Sequence, residues 1–337
     1  MQVIELQKFG IKNLQLTEKP KPSPAPEQVL VKMEAVSLNS VDLLTIEGKL
    51  NPKMALPYVP VADGAGVVEQ VGDRVTELKP GDRVVSLFVA EWRSDRPTPN
   101  ATDDAKRPGL GTVPGELTQY KVFQAHQLIK VPANLSAAEA ATLSVAALTA
   151  WNGLKYSKLQ AGETALLHGT GGVSIFALQF AKARGANVII TSSSDDKLAR
   201  SQQLGADFVI NYKTTPEWEP VVHQMTEGRG ADVVVETVGG KNLQKSLNAL
   251  RMGGHISIMG LMGGFETTIN ALVLLKQQAT IRGMEVGSTE DFAEMNQAIA
   301  AHDIHPVIDK TFPLDQIQQA FEYLKQGRHF GKVVVTL

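Results

Sequence analysis

Residues 166–174 read Leu-Leu-His-Gly-Thr-Gly-Gly-Val-Ser (LLHGTGGVS), and their spacing decides how the second half of the chain is read. A phosphate-binding turn between a strand and a helix asks for G-x-G-x-x-G. The first glycine makes the tight turn, the second lets the backbone approach a pyrophosphate, and the third lets the helix pack closely on the strand. Gly169 and Gly171 meet the first two requirements, and Ser174 stands in the third place. Only that third place is a packing constraint, and serine is among the smallest replacements, with a hydroxyl able to bond back to the helix. The anion site itself is made by backbone N–H groups and the helix dipole. An ordinary glycine-rich turn is the competing reading; the apolar strand TALLH before the turn and the small-residue helix FALQFAKA after it favour a dinucleotide site.

Outward from this turn, strands and helices alternate. The pattern predicts strand Thr164–His168, helix Gly172–Arg184, strand Asn187–Thr191, helix Asp195–Leu204, strand Asp207–Asn211 and helix Glu217–Glu227. Strand Ala231–Glu236, helix Lys241–Leu250, strand His255–Met259 and a last strand near Thr280–Glu285 follow. That is a doubly wound parallel sheet of about six strands, which binds ligands at the carboxyl ends of its strands. Before it, SAAEAATLSVAALTAWNGL (136–154) reads as an Ala-rich helix with Ser136 as N-cap and Glu139 completing a capping box.

The first 125 residues have a different texture. Runs such as QVLVKMEAVSL and GAGVVEQVG, punctuated by Pro and Gly, predict a twisted, partly closed antiparallel sheet. The segment KPKPSPAPE is a loop, and the doubled G-D-R-V of VGDRVTELKPGDRVV marks two Gly-Asp turns. The tail, ending in VVVTL, reads as a return to this first domain.

At 337 residues the chain exceeds the size at which single cores stop growing, so two domains are expected. A formal net charge of -2, from 33 basic and 35 acidic side chains, gives no electrostatic case for nucleic acid or an anionic membrane surface. The absence of cysteine excludes disulfides, thiolate catalysis and any zinc site built on sulfur. No run of about 18 apolar residues occurs, and the start, MQVIEL, goes straight into a strand pattern without a leader-like composition, so a cytoplasmic location is expected.

The second strand indicates which dinucleotide is bound. NAD sites place an acid at its end to bond the ribose 2′-hydroxyl, but VIITSSSDDK offers Thr191, Ser192, Ser193 and Ser194 there. Asp195 and Asp196 come later and suit the first turn of the next helix. Serine hydroxyls followed by Lys197, with Tyr212 at the end of the third strand, suit a 2′-phosphate and predict NADPH over NADH. A solvated helix lysine is the alternative for Lys197.

Taken together, PYVPVADGAGVVEQVGDRVTELKPGDRVV, HGTGGVSIFALQFAKARGANVIIT, LGADFVINY, DVVVETVGG and FGKVVVTL resemble the medium-chain dehydrogenase/reductase superfamily over essentially the whole chain, and within it the zinc-free, quinone-oxidoreductase-like branch. The resemblance implies a GroES-like catalytic domain (1–125 with 288–337), a Rossmann cofactor domain (126–287), a cleft holding the nicotinamide, and a homodimer made through the edge strand near Thr280–Glu285. It places Asn39 and Thr149 beside the nicotinamide, and Gly169, Gly171, Gly172 and Val173 at the pyrophosphate. Ser193, Lys197 and Tyr212 fall at the adenine-ribose phosphate, Gly239 and Gly260 at backbone turns over the cofactor, and Arg328 at a basic group near it. Asn39 with Asp42 can also simply tie down a turn, and Thr149 can be an ordinary helix residue.

Departures from the zinc-dependent members matter as well. Val61-Ala62-Asp63 replaces their Gly-His-Glu motif, Ser37-Leu38-Asn39 replaces the segment with their first cysteine ligand, and the polar loop Glu91–Gly115 replaces their cysteine-rich lobe. No metal is expected, because a catalytic zinc needs about three protein ligands and these positions supply none; His302 and His305 have metal-like spacing but no third ligand. Leu44 occupies a position where many members have tyrosine, which removes a candidate proton donor. The expected reaction is hydride transfer from NADPH to an enone, enal or quinone, with the developing charge met by donors such as the Asn39 amide and water as the final proton source. The alternatives are a zinc-independent NADP alcohol dehydrogenase or carbonyl reductase, and an NADPH-binding structural or sensory protein without turnover.

Overall fold

The computed structural model describes residues 1–94, 96–97, 103 and 106–337; residues 95, 98–102 and 104–105, within the Glu91–Gly115 loop, lie outside the described residues. The chain forms two compact units, Met1–Leu148 with Val286–Leu337, and Thr149–Glu285.

In the first unit, β1 (Gln2–Leu6) pairs antiparallel with β2 (Leu14–Glu18). The run QVLVKMEAVSL forms β3 (Gln28–Leu38), followed by α1 (Ser40–Ile46), β4 (Asp63–Val71), β5 (Arg83–Ser86), β6 (Tyr120–Gln124) and β7 (Leu128–Lys130). Long β3 pairs antiparallel with both β4 and β6, β4 with β5, and β5 with β7. A Cβ on Gly66 would stand 2.2 Å from the Lys32 carbonyl oxygen, so only glycine lets β4 lie this close to β3. Inward side chains of these strands, among them Val29, Val31, Met33, Val68, Val84 and Phe123, form one apolar core.

Residues 126–148 belong to this first unit, because β7 completes the sheet through β5. The capping box expected at Ser136 is present at the start of α2 (Ala137–Ala140): Glu139 N–H donates to Ser136 Oγ, and Ser136 N–H donates to Glu139 Oε2. The single long helix is not. A π-turn over Leu143–Ala147 separates α2 from α3 (Leu148–Tyr156), and within it the Ser144 hydroxyl donates to the Ser86 carbonyl of β5. That bond joins residues far apart in sequence, so alanine content could not foretell the interruption.

The second unit runs β8 (Thr164–His168), α4 (Gly172–Ala183), β9 (Asn187–Ser192), α5 (Asp195–Gln203), β10 (Phe208–Asn211), α6 (Glu219–Met225), β11 (Ala231–Glu236), α7 (Asn242–Ala249), β12 (Leu250–Ile258), α8 (Ala271–Gln277) and β13 (Thr280–Gly283). Among the described residues its strands form a six-stranded sheet in the order β10-β9-β8-β11-β12-β13, all parallel. Every residue of β8 and β11 is buried, as expected of central parallel strands covered on both faces. The order reverses between β8 and β11, the switch point at which open α/β sheets bind ligands. Two elements differ from expectation. Strand β12 begins five residues early, with a register shift that takes its pairing from Ala231–Leu250 to Val233–His255, and α8 was not foreseen.

The chain then returns through α9 (Thr289–Ala301), β14 (Ile308–Pro313), α10 (Ile317–Lys325) and β15 (Lys332–Thr336). Ile317, Ala320, Phe321 and Leu324 line the buried stripe of α10 at helical spacing. β15 pairs antiparallel with β3 and parallel with β14, so the sheet, seven-stranded among the described residues, is mixed rather than antiparallel throughout. The reason is the α10 crossover, which brings β15 back beside β14 in the same direction.

Candidate active site

At the switch point, β8 ends on His168 and the chain turns through Gly169, whose φ is +73°. A Cβ there would meet nothing within 4 Å, so the glycine serves the left-handed backbone rather than close packing. Gly171 is the N-cap of α4 in extended backbone, and no side chain caps the helix. The N–H groups of Gly172 and Val173 therefore point out of the start of a twelve-residue helix without a side-chain partner. This cradle fits a diphosphate.

Ser174 is buried, and its hydroxyl donates to the His168 carbonyl at 2.6 Å. It thus ties the helix to the end of the strand instead of bonding back to the helix. Close packing puts the first turn of α4 against that carbonyl, which also accepts the Thr237 hydroxyl at 2.7 Å.

The next two loops lock together beside this turn. A Cβ on Gly260 would lie 1.8 Å from the Thr237 carbonyl oxygen, and one on Gly239, where φ is +72°, would lie 2.7 Å from the Gly260 oxygen. Glu236, the fully buried last residue of β11, holds this arrangement. Its carboxylate accepts the N–H groups of Val238 (2.8 Å) and Gly239 (3.0 Å), the Asn242 amide (2.9 Å) and the Ser246 hydroxyl. Because Ser246 donates to Glu236, it accepts from His168 Nε2 at 2.8 Å, while His168 Nδ1 lies 3.2 Å from the Thr191 hydroxyl. Burial holds the His168 pKa down although Glu236 opposes the shift, which keeps the ring a neutral strut. Glu236 escaped the sequence reading. The available signal was a carboxylate directly after the buried apolar run 233–235, which must find several donors.

At the end of β9 the residues expected at the ribose phosphate stand on neighbouring segments, Ser193 after β9, Lys197 in α5 and Tyr212 after β10. Asn211 pairs with Ser192, and Tyr212 N–H donates to the Ser192 carbonyl at 3.1 Å, which sets Tyr212 beside Ser193. Ser194 caps α5 by accepting the Lys197 N–H at 3.4 Å, so Lys197 rises in the first turn, half-buried. Asp195 and Asp196 lie in that same turn, as helix-dipole placement requires. The Asp195 carboxylate accepts the Asn211 amide at 2.7 Å.

Asn39 and Arg328 lie in the first unit, Arg328 on an exposed turn after α10, and Thr149, buried, is the first residue of the second. Asn39 closes β3 and caps α1, where Asp42 Oδ2 accepts its backbone N–H at 2.7 Å and Asp42 Oδ1 accepts the Ala62 N–H at 3.0 Å. The turn-tying role is therefore present. The Asn39 side chain does more: its Nδ2 donates to Asp63 Oδ2 at 2.8 Å, and its Oδ1 accepts from Lys332 Nζ at 2.6 Å. Burial pushes Asp42 up to about 6 and drives Asp63 well above the carboxylate range, with Lys332 and the Asn39 amide pulling Asp63 partly back. Lys332 was not singled out in the sequence; it sits at the foot of β15, next to β3 only in the folded sheet.

Among the described residues, no group of three or more His, Asp or Glu side chains could hold a metal ion. His305 instead pairs with Glu139 at 2.7 Å. No helix among the described residues is long and apolar enough to cross a membrane.

Comparison with known proteins agrees with this architecture. Residues 25–133 match the alcohol dehydrogenase GroES-like domain family, and residues 172–301 match the zinc-binding dehydrogenase family. A zinc-type alcohol dehydrogenase-like protein of Schizosaccharomyces pombe is 46% identical over 93% of this chain and 91% of its own length. The crystal structure of an NAD-dependent alcohol dehydrogenase is 32% identical with a TM-score of 0.90, covering all of both chains. That of Escherichia coli quinone oxidoreductase complexed with NADPH is 26% identical with a TM-score of 0.82, again covering all of both. The chain belongs to the medium-chain dehydrogenase/reductase superfamily, whose members are oxidoreductases that bind nicotinamide cofactors, and its two units have the GroES-like and Rossmann folds of that superfamily.

Proposed function

We propose that this chain is an NADPH-dependent oxidoreductase that reduces an activated carbonyl compound, an enone, enal or quinone, without a metal. What supports the reading is the end of β9, which runs into Ser193 and Ser194 rather than an acid, with Lys197 in the first turn of α5 and Tyr212 directly after β10. Gly169, Gly171, Gly172 and Val173 hold the diphosphate, Gly239 and Gly260 form the turns over the cofactor, and Arg328 supplies a further basic group. NADPH, when bound, supplies a hydride. Asn39 is assigned to the charge developing on the substrate oxygen and Thr149 to the nicotinamide.

The metal-free part rests on the residues at the superfamily's ligand positions. Ala62 has no donor atom, Asn39 and Asp63 are bonded to each other, and an ammonium stands 2.6 Å from Asn39 Oδ1. A dication placed there would meet that ammonium, so zinc does not fit. The reading includes a cytoplasmic homodimer, supported by β13 at the sheet edge and the exposed Leu272 and Leu275 on the neighbouring α8. Gel filtration giving a monomer would remove the dimer.

Fluorescence titration of the purified protein with NADPH and NADH, followed by an acceptor panel, tests the proposal. Tighter NADPH binding and NADPH oxidation by enones or quinones are expected. Tighter NADH binding would overturn the cofactor assignment, and turnover with simple aldehydes alone would overturn the substrate class. The alcohol dehydrogenases among its relatives favour a second reading, alcohol oxidation; alcohol-dependent NADP reduction that survives a chelator would identify it.

A further inference from the structure

Asp63 and Lys332 open β4 and β15, and Asn39 directly follows β3. β3 lies between β4 and β15, with Ser37 opposite Asp63 and Leu38 opposite Val333. Asn39 is 8% exposed, Lys332 4% and Asp63 not at all. The ammonium donates to the Leu38 carbonyl at 2.9 Å and to Asn39 Oδ1 at 2.6 Å, and stands 4.0 Å from Asp63 Oδ2. A buried charge of this kind persists only where it is paired and hydrogen-bonded.

Once Asp63 has lost its proton, near neutrality, the amide of Asn39 is gripped by opposite charges at its two ends, a cation on the oxygen and an anion on the nitrogen, although burial also draws the Lys332 pKa down. Turned by 180° it would present N–H to ammonium and oxygen to carboxylate, so one orientation is imposed. Of its two N–H groups, one is taken by Asp63 at 2.8 Å. The other reaches the Ser37 carbonyl only at 3.4 Å, beyond the usual range for a good N–H···O bond.

We propose that Lys332 is a positioning residue for carbonyl reduction: its ammonium fixes the Asn39 amide so that the N–H not taken by Asp63 is presented to the substrate oxygen. This rests on the role proposed above for Asn39. The Lys332 ammonium on the amide oxygen draws electron density from the nitrogen and strengthens that N–H as a donor, in a place where zinc-dependent members of the superfamily rely on a metal.

The test compares wild type with Lys332→Met, Lys332→Arg and the double variant Lys332→Met/Asp63→Asn, measuring NADPH affinity, kcat, KM for the acceptor and the thermal midpoint. Lys332→Met alone strands the Asp63 carboxylate and lowers the midpoint, whereas the double variant removes both charges and recovers much of it. With positioning as proposed, the double variant still loses roughly tenfold or more in kcat, in line with the loss or misplacement of an oriented donor. Its NADPH affinity and acceptor KM stay near wild type, and Lys332→Arg retains more kcat than Lys332→Met. A stable double variant with wild-type kcat would make the pair purely structural and overturn the proposal. A wild type that binds NADPH but turns over no acceptor would instead overturn the proposed function, and this inference with it.

Discussion

If the proposed NADPH site is right, replacing Lys197 by alanine is expected to separate binding of the 2′-phosphate from binding of the rest of the dinucleotide. Lys197 sits in the first turn of α5, with Ser193 just ahead of the helix and Tyr212 across the β9–β10 pair. A hydrogen bond from a charged group contributes about 1.5–3 kcal/mol. Lys197 is half-buried, so solvent screening leaves about 1–2 kcal/mol. At 1.4 kcal/mol per tenfold change, NADPH binding weakens roughly 5–30-fold, while NADH, which lacks the phosphate, is held within about twofold. The assay is a fluorescence titration with each cofactor at two salt concentrations, and the NADPH advantage shrinks at the higher one because the partners are partly solvated. Ser193→Asp provides the opposite perturbation: a carboxylate at the end of β9 repels the phosphate, accepts from a ribose hydroxyl and reverses the preference. Equal weakening of both cofactors by Lys197→Ala, or no change in either, would refute the phosphate assignment.

Other perturbations follow from the same contacts. Ser174→Ala removes one of two hydroxyls donating to the His168 carbonyl and leaves Thr237 in place, so denaturant unfolding of the second unit loses about 0.5–1.5 kcal/mol. Ser174→Gly, which restores the consensus glycine, loses a further 0.5–1 kcal/mol or so through backbone entropy; a glycine variant more stable than the alanine variant would contradict this. Gly260→Ala sets a Cβ against the Thr237 backbone oxygen at 1.8 Å, and the displaced loop is expected to abolish tight NADPH binding; wild-type affinity would show that the loop yields. Burial raises the folded-state pKa of Asp63, so the folded chain holds an extra proton and the stability linked to it is present at low pH and lost as pH rises toward neutrality. The thermal midpoint of wild type relative to Asp63→Asn should therefore fall from about pH 4 to pH 8, and a flat difference would exclude Asp63 as the titrating group.

The alternation of buried apolar runs with helical patterns was enough to read a doubly wound sheet, because each of those signals is local: period, caps and turn glycines act within a few residues. Gly169, Gly171 and the serines after β9 were legible for the same reason, as was the capping box at Ser136. The π-turn at Ser144 was not, since it is coupled to a carbonyl in a distant strand. The parallel β14–β15 pair was equally hidden, since strand direction depends on the path of a crossover. Ser174 could be judged tolerable from its size, but only the packed structure shows that its hydroxyl joins helix to strand.

The buried polar groups divide along the same line. Asn39 was recognisable by its place in a motif, yet its partners come from strands that begin 24 and 293 residues away in the chain. Glu236 and Lys332 look unremarkable in sequence and become important only when burial removes water and leaves them dependent on particular neighbours. The sequence by itself determined the fold class and the glycine turn after β8, which rest on local backbone preferences. The tertiary structure alone decided which charges face one another inside the first unit, because desolvation and pairing are properties of the assembled sheet.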